Sequence, residues 1–209
     1  ADGTEVTTGT KIATIKGPIK PILSGERVAL NFIQHLSGVA TYTAKMVNLV
    51  KEHPAKIVDT RKTTPGLRIL EKYAIRKGGG QNHRFNLSDG VLIKDNHISA
   101  CGSITEAIAR CRAYVPHTAR IEVETETETQ VQEALAAGAD IIMLDNMAPP
   151  EMKQMVELIA GRAITEASGG VTEANITEIA ATGVDIISIG ALTHSVQALD
   201  ISLEIDKNN

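Results

Sequence analysis

Charged and polar side chains recur at the ends of successive apolar segments. In chain order they are Asp59-Thr60-Arg61-Lys62, Lys94-Asp95-Asn96-His97, Glu122 and Glu124, Asp145-Asn146, Glu166 with Ser168-Gly169-Gly170, and Gly190. One polar residue at a strand end is commonplace. Six in succession are not, because each charge held in a barrel mouth loses hydration unless a ligand or partner offsets the loss. Arg61, His83, Arg84 and Lys94 have the chemistry to grip carboxylates: an arginine fork matches a carboxylate with two hydrogen bonds, and lysine supplies a point charge.

Glu122 and Glu124 stand two apart on one strand and so share a face. Glu122 is expected to be a structural carboxylate paired with a buried Lys or Arg. Glu124 and Asp145 are placed at the mouth, where their oxygens suit Mg²⁺ held through a phosphate substrate; simple salt bridges to Lys62 or Lys94 are the alternative. Ser168-Gly169-Gly170 before a helix expected near Thr172, together with Gly190 after the last strand, could cradle phosphate on backbone N–H groups. Gly78-Gly79-Gly80 would let the loop carrying His83 and Arg84 lie close to the mouth. His35, His53 and His117 belong to no constellation, and the Tyr and Phe positions are assigned to the core.

Between Arg61 and Lys94 eight basic residues face two acidic ones, while the whole chain carries −4. These cations are expected at turns rather than along a helix face. A local cationic site in an acidic protein suits a small, multiply charged anion better than a nucleic-acid polymer. Aromatics at 2% with no Trp argue against a stacking platform for single strands. No apolar run exceeds about five residues, so no membrane span is expected. Cys101 and Cys111 lack metal-ligand spacing and are expected as reduced thiols in a cytoplasmic protein. The chain starts with Ala, which suggests a fragment or a trimmed chain.

The elements that would carry these residues follow from periodicity. Residues 1–24 alternate apolar and polar positions around Gly and Pro, as short strands and turns would. A long helical pattern runs from Glu26 to Lys51, in which Gly38 allows a bend or close packing. Apolar strands are expected at Ala55–Thr60, Gly90–Lys94, Arg120–Thr125, Asp140–Asp145, Ala163–Ala167 and Asp185–Gly190, with helices such as Ser103–Tyr114, Thr129–Ala137, Pro150–Ala160 and Thr172–Thr182 between them. The near-repeat ALAAGADIIMLDN (134–146) and EIAATGVDIISIGA (178–191) supports this alternation. Strands of continuous Ile, Val and Leu alternating with helices indicate a covered parallel sheet, and polar residues at the C-terminal strand ends favour a barrel.

These residues resemble the quinolinate phosphoribosyltransferase family in GERVALNFIQHLSGVAT (25–41), DTRKTTPGLR (59–68), GGGQNHRFNLSDGVLIKDNHI (78–98), IEVE (121–124), LDN (144–146), SGG (168–170) and GALTHS (190–195). The resemblance implies an α/β fold: an incomplete α/β barrel of six or seven parallel strands with a partial N-terminal α/β sandwich domain. It places the sandwich part and a connecting helix at 1–53, the barrel at 54–195, and a C-terminal helix and tail at 196–209. Family members begin with a longer N-terminal segment than this chain has.

The implied reaction joins quinolinate to phosphoribosyl pyrophosphate with Mg²⁺, giving nicotinate mononucleotide, pyrophosphate and CO2. By resemblance, Arg61, His83, Arg84 and Lys94 bind the two carboxylates. Lys62, Glu124, Asp145, Ser168, Gly169, Gly170 and Gly190 lie on the phosphoribosyl side, with His194 near the phosphate loops. Lys62, Lys94, Glu124 and Asp145 are the catalytic set, and Glu124 and Asp145 the Mg²⁺ set. Arg27 is expected to reach the neighbouring subunit's site in a homodimer or a hexamer of dimers. Alternatives are a related phosphoribosyltransferase with another substrate and a non-catalytic phosphate-binding barrel.

Overall fold

A computed structural model describes residues 1–205. Helix α1 (Ile19–Leu49) is followed by β1 (Lys56–Val58), α2 (Arg68–Lys77), β2 (Val91–Ile93), α3 (Asp95–Cys101), α4 (Ile104–Tyr114), β3 (Ile121–Thr125), α5 (Glu128–Ala136), β4 (Ile141–Asp145), α6 (Pro149–Ile159), β5 (Ile164–Ser168), α7 (Ile176–Ala181), β6 (Ile186–Ser188) and α8 (Ala191–His194). The six strands form one parallel sheet in the order β1-β6-β5-β4-β3-β2. Strands β1 and β2, consecutive along the chain, are the two edges, as in a barrel opened along one seam. Gln81 lies in that seam, bridged to Val58, with its N–H donated to Ile57 O at 2.8 Å.

Register sorts the strand residues into two faces, since paired positions of a parallel ladder project to the same side. Val123↔Ile142 and Ala167↔Ile187 are such pairs. These side chains are fully buried beneath the helices, where each larger one contributes about 1.5–3 kcal/mol. The opposite face carries Glu124↔Met143↔Glu166↔Ile186 as one rung, with Asp145↔Ser168 the rung above and Glu122 one step below on β3. The carboxylates of these strands are therefore interior, alongside Met143 and Ile186, while the face toward the helices is mostly apolar.

The near-repeat has a structural meaning. Asp140 and Asp185 occupy equivalent places just before β4 and β6. Asp140 Oδ2 accepts the Ile121 N–H at 2.7 Å, and Asp185 Oδ2 accepts the Thr165 N–H and hydroxyl, both at 2.8 Å. Each aspartate pins the start of the neighbouring strand and so helps to fix the register. Helices α4 and α5 start at Ser103 and Thr127, whose hydroxyls accept the N–H groups of Glu106 and Gln130.

At 31 residues α1 extends about 46 Å. Of the two uses expected for Gly38, close packing is the one observed. A Cβ there would stand 2.2 Å from Gln197 O, so only glycine lets the C-terminal segment cross the helix. Leu199 N–H donates to Gln34 O and Gln34 Nε2 to Ile201 O, which ties the crossing down.

Several expectations need correction. Residues 1–18 contain turns but no strand, because no described segment takes up their backbone groups, and α1 begins seven residues before Glu26. Residues 196–205 form no helix, and 206–209 lie outside the described residues. The cations are not confined to turns: Arg68, Lys72, Arg76 and Lys77 lie on α2. The aromatic residues are not uniformly core, since Phe32, Tyr73 and Phe85 are exposed and Tyr114 is 92% exposed. No helix among the described residues is long and apolar enough to cross a membrane.

Candidate active site

The loop after β1 presents Arg61 and Lys62, both with exposed side chains. Thr60 Oγ1 accepts the Lys62 N–H at 3.1 Å and so turns the chain there. Asp59, expected at the mouth, is instead fully buried, because Lys72 donates to its Oδ1 at 2.5 Å. The same carboxylate accepts from His83 N–H and Asn82 Nδ2, both at 2.8 Å. One buried acid thus joins the Arg61 loop to the seam segment that carries His83 and Arg84.

His83 enters the barrel from the seam. Its Nε2 lies 3.3 Å from Glu122 and 3.4 Å from Glu166, carboxylates of β3 and β5 that are almost wholly buried. Glu166 is therefore an interior group rather than a strand-end one, and Glu122 pairs with a histidine rather than with a Lys or Arg. Burial opposes charge on His83 most strongly, yet the hydrogen bonds and charges of the two glutamates together outweigh it and push the ring up to about 9. Glu122 is raised, first by burial, with Glu166 adding to the effect while His83 and Arg84 oppose it. The Arg84 N–H donates to His83 Nδ1 at 2.7 Å, so a second proton on the ring displaces that bond.

Burial pulls Arg84 below the usual arginine range, Glu122 counteracts, and Arg61 lies near enough to lower it further by repulsion. Among the described residues no carboxylate is within ion-pair distance of either arginine. Two guanidinium groups that repel each other and lack an ion-paired acid have the chemistry to receive an anion. Arg84 Nη1 donates to Gly90 O at 3.2 Å, while its buried Nε has no hydrogen-bond partner among the described residues.

At the upper rim Lys94 ion-pairs with Glu124, as the salt-bridge alternative had it. Asp145 pairs with neither lysine; its Oδ2 accepts the Asn146 amide at 2.6 Å. Ser168 ends β5 beside Asp145, and Asn146 N–H donates to Ser168 O. Gly169 has φ +88°, and a Cβ there would meet Asn146 Oδ1 at 2.1 Å, so this turn requires glycine. No helix opens at Thr172: an Asn175-capped turn follows Gly170, and α7 starts only at Ile176. The glycine turn therefore offers its own N–H groups rather than a helix terminus.

On the β1–β6 side a cavity of about 480 Å³ is lined by His35, Lys62, Thr64, Thr193 and His194 among others. Gly190 makes room for this meeting, since a Cβ there would stand 2.9 Å from His194 Nε2 and 3.2 Å from Lys62 Cδ. His35 was assigned no role, yet its Nε2 is 2.8 Å from buried Glu71, which also accepts the Thr64 N–H. Arg27 is exposed on α1.

Comparison with known proteins shows the family. Residues 39–204 match the C-terminal domain of quinolinate phosphoribosyl transferase, and residues 1–37 its N-terminal domain. The chain belongs to this family. It is 53% identical, over its whole length and 72% of the relative's, to the protein from Bacillus subtilis (strain 168) named probable nicotinate-nucleotide pyrophosphorylase (carboxylating). It is 47% identical to the tobacco (Nicotiana tabacum) protein named quinolinate phosphoribosyltransferase (decarboxylating) 2a, mitochondrial, over 98% of this chain and 63% of that one. The crystal structure of NadC from Streptococcus pyogenes superposes with a TM-score of 0.94 at 50% identity, covering 98% of this chain and 72% of that one.

Within the quinolinate phosphoribosyltransferase fold, this chain gathers its expected site residues, apart from Arg27 on α1, into three groups. Arg61, His83 and Arg84 surround the seam; Lys94, Glu124, Asp145 and Ser168–Gly170 form the rim; Lys62, Gly190 and His194 meet beside the cavity. Arg68, Glu71, Lys72 and His35 escaped the sequence reading. A signal was available for two of them: Glu71 and Lys72 sit four and three residues before buried Ile75, on the face where an amphipathic helix carries apolar groups.

Proposed function

We infer that this chain is a nicotinate-nucleotide diphosphorylase (carboxylating), a phosphoribosyltransferase of NAD biosynthesis. It transfers the phosphoribosyl group of phosphoribosyl pyrophosphate to quinolinate with loss of CO2. The observation that carries the reading is that Arg61 and Arg84 lie near each other beside His83, neither in an ion pair, an arrangement suited to an ortho-dicarboxylate. Lys94 adds a point charge at the rim. Lys62, Gly190, His194 and the Ser168–Gly170 turn take the phosphates.

The pyridine nitrogen lone pair forms the bond to the anomeric carbon, and the electrons of the breaking C–O bond leave with pyrophosphate. Arg61 and Arg84 orient the diacid for that attack, and Glu124 and Asp145 face the positive charge that develops on the ribose. The alkylated ring is an electron sink. The bond to the C2 carboxylate breaks, CO2 departs, and C2 takes up one proton. Two hard carboxylates on adjacent strands fit Mg²⁺, which such sites bind with one or two carboxylates plus substrate phosphates, so Glu124 and Asp145 would hold it. When bound, the ion would supply positive charge to offset that of the pyrophosphate.

Leu23, Val28, Phe32 and Ile33 are exposed on α1 around Arg27, and this apolar surface supports a homodimer or a hexamer of dimers in which Arg27 reaches a neighbouring site. Two free cysteines support a cytoplasmic setting. The test is incubation with phosphoribosyl pyrophosphate, Mg²⁺ and quinolinate, following CO2 and nicotinate mononucleotide. Product from quinolinate but not from nicotinate or nicotinamide is expected. Equal use of nicotinate would overturn the dicarboxylate assignment.

A further inference from the structure

Helix α2 contributes no residue to the substrate groups described above, yet one of its faces holds both of the loops that do. Arg68, Glu71 and Lys72 stand at i, i+3 and i+4 and so project together. Glu71 and Lys72 are wholly buried, continuing the face of Ile75. Burying two charges on a helix face is costly unless specific partners compensate. Every partner here belongs to one of the two substrate loops, to the acid between them, or to α1.

Arg68 donates from Nη2 to Arg61 O at 3.0 Å, from Nε to Thr63 Oγ1 at 2.9 Å, and from Nη1 to Phe85 O at 3.0 Å. Glu71 accepts the Thr64 N–H at 3.0 Å with one oxygen and meets His35 with the other. Lys72 donates to His83 O at 3.1 Å as well as to Asp59, and its own carbonyl accepts from Asn82 Nδ2 at 2.9 Å. The Arg61–Lys62 pair is thus held at Arg61 O, Thr63 and Thr64. The His83–Arg84 pair is held at Asn82, His83 O and Phe85 O. A single guanidinium, that of Arg68, touches both loops.

We propose that Arg68 is a positioning residue for the dicarboxylate: while Glu71 and Lys72 anchor the same two loops from the next turn of the helix, it sets the separation of the Arg61–Lys62 and His83–Arg84 pairs without touching substrate. The inference rests on the proposed function and adds residues to it. The pairs need such a brace because like charges push the loops apart before an anion arrives. Lysine cannot substitute, since one ammonium on a flexible stem does not reproduce a planar fork that reaches three acceptors in two loops. Arg68 is only partly buried, so its replacement leaves the core of the barrel in place.

The experiment compares wild type with Arg68→Lys and Arg68→Met by steady-state kinetics, thermal melting, and binding of benzene-1,2-dicarboxylate, an unreactive diacid. The expected result is a rise in KM for quinolinate on the order of tenfold to a hundredfold in both variants. Diacid binding should weaken in parallel, while kcat at saturation and KM for phosphoribosyl pyrophosphate change much less. Arg68→Lys keeps charge and stem, so it reports even if the methionine variant folds poorly. Unchanged diacid affinity in Arg68→Lys, or a lowered melting temperature with unaltered KM, would overturn the proposal. A wild-type chain that binds no diacid and makes no product would instead overturn the function on which it rests.

Discussion

Lys72 Nζ and Asp59 Oδ1 are 2.5 Å apart, with both side chains almost completely removed from water. The pair connects the end of β1 to α2, and Asn82 and the His83 N–H satisfy what remains of the carboxylate. Removing one partner strands the other, which costs about 3–5 kcal/mol in a buried pair. Lys72→Met should therefore lower the urea midpoint by that equivalent, as measured by equilibrium unfolding. A change below 1 kcal/mol would mean that the pair is not buried as described.

His83 makes stability depend on pH. Its folded-state value of about 9 lies above the ordinary 6.5, so the ring's contribution is present in full below about pH 6.5 and is lost as pH rises through about 9. The contribution is roughly 3 kcal/mol at most. Unfolding free energies of wild type and His83→Gln, measured between pH 6 and 10, should converge toward the alkaline end. Parallel curves would exclude this coupling.

Arg61→Ala removes half of the guanidinium pair that the proposed function assigns to the diacid. Quinolinate binding should weaken by about 2–4 kcal/mol, the scale for stranding a charged partner. Calorimetric titration with quinolinate checks this, and an unchanged affinity would remove Arg61 from the site.

Glu124→Ala should lower turnover more than it alters quinolinate affinity, because the proposed function assigns Glu124, which pairs with Lys94, to the ribose side of the rim. Single-turnover rates at saturating substrates separate the two effects. A variant at full speed would leave Glu124 with no role beyond its ion pair.

Gly169→Ala combines a left-handed backbone with a collision at Asn146. A strain of about 1–3 kcal/mol is expected, together with a raised KM for phosphoribosyl pyrophosphate. If KM stays put while stability falls, the turn is structural and does not hold phosphate.

Much of this arrangement could be read from the chain. The buried runs around Val123, Ile142 and Ile187 mark strands to within a residue or two, and the period of two places Glu122 and Glu124 on one face. Lys94, Glu124, Asp145 and Ser168 were legible because a polar residue closing an apolar run has few places to go in a barrel. Pairings across many residues were not legible. Glu71 with His35, Lys72 with Asp59, and Arg68 with two carbonyls depend on tertiary proximity, and a charged face on α2 looks like a solvated one until its partners are in view. Residues 1–18 show the converse: their alternation suits a strand, but a strand forms only where a neighbour takes up its backbone groups.

The open seam between β1 and β2 has an architectural use. In a regular strand adjacent side chains alternate faces, so only every second residue can look into a barrel. The stretch 82–84 is not a strand, and it is free of that alternation. Consecutive residues, His83 and Arg84, are both placed under the influence of Glu122 and Glu166. Closing the circle with one more regular strand would perfect the hydrogen-bond ladder and turn one of those two cations out of the chamber.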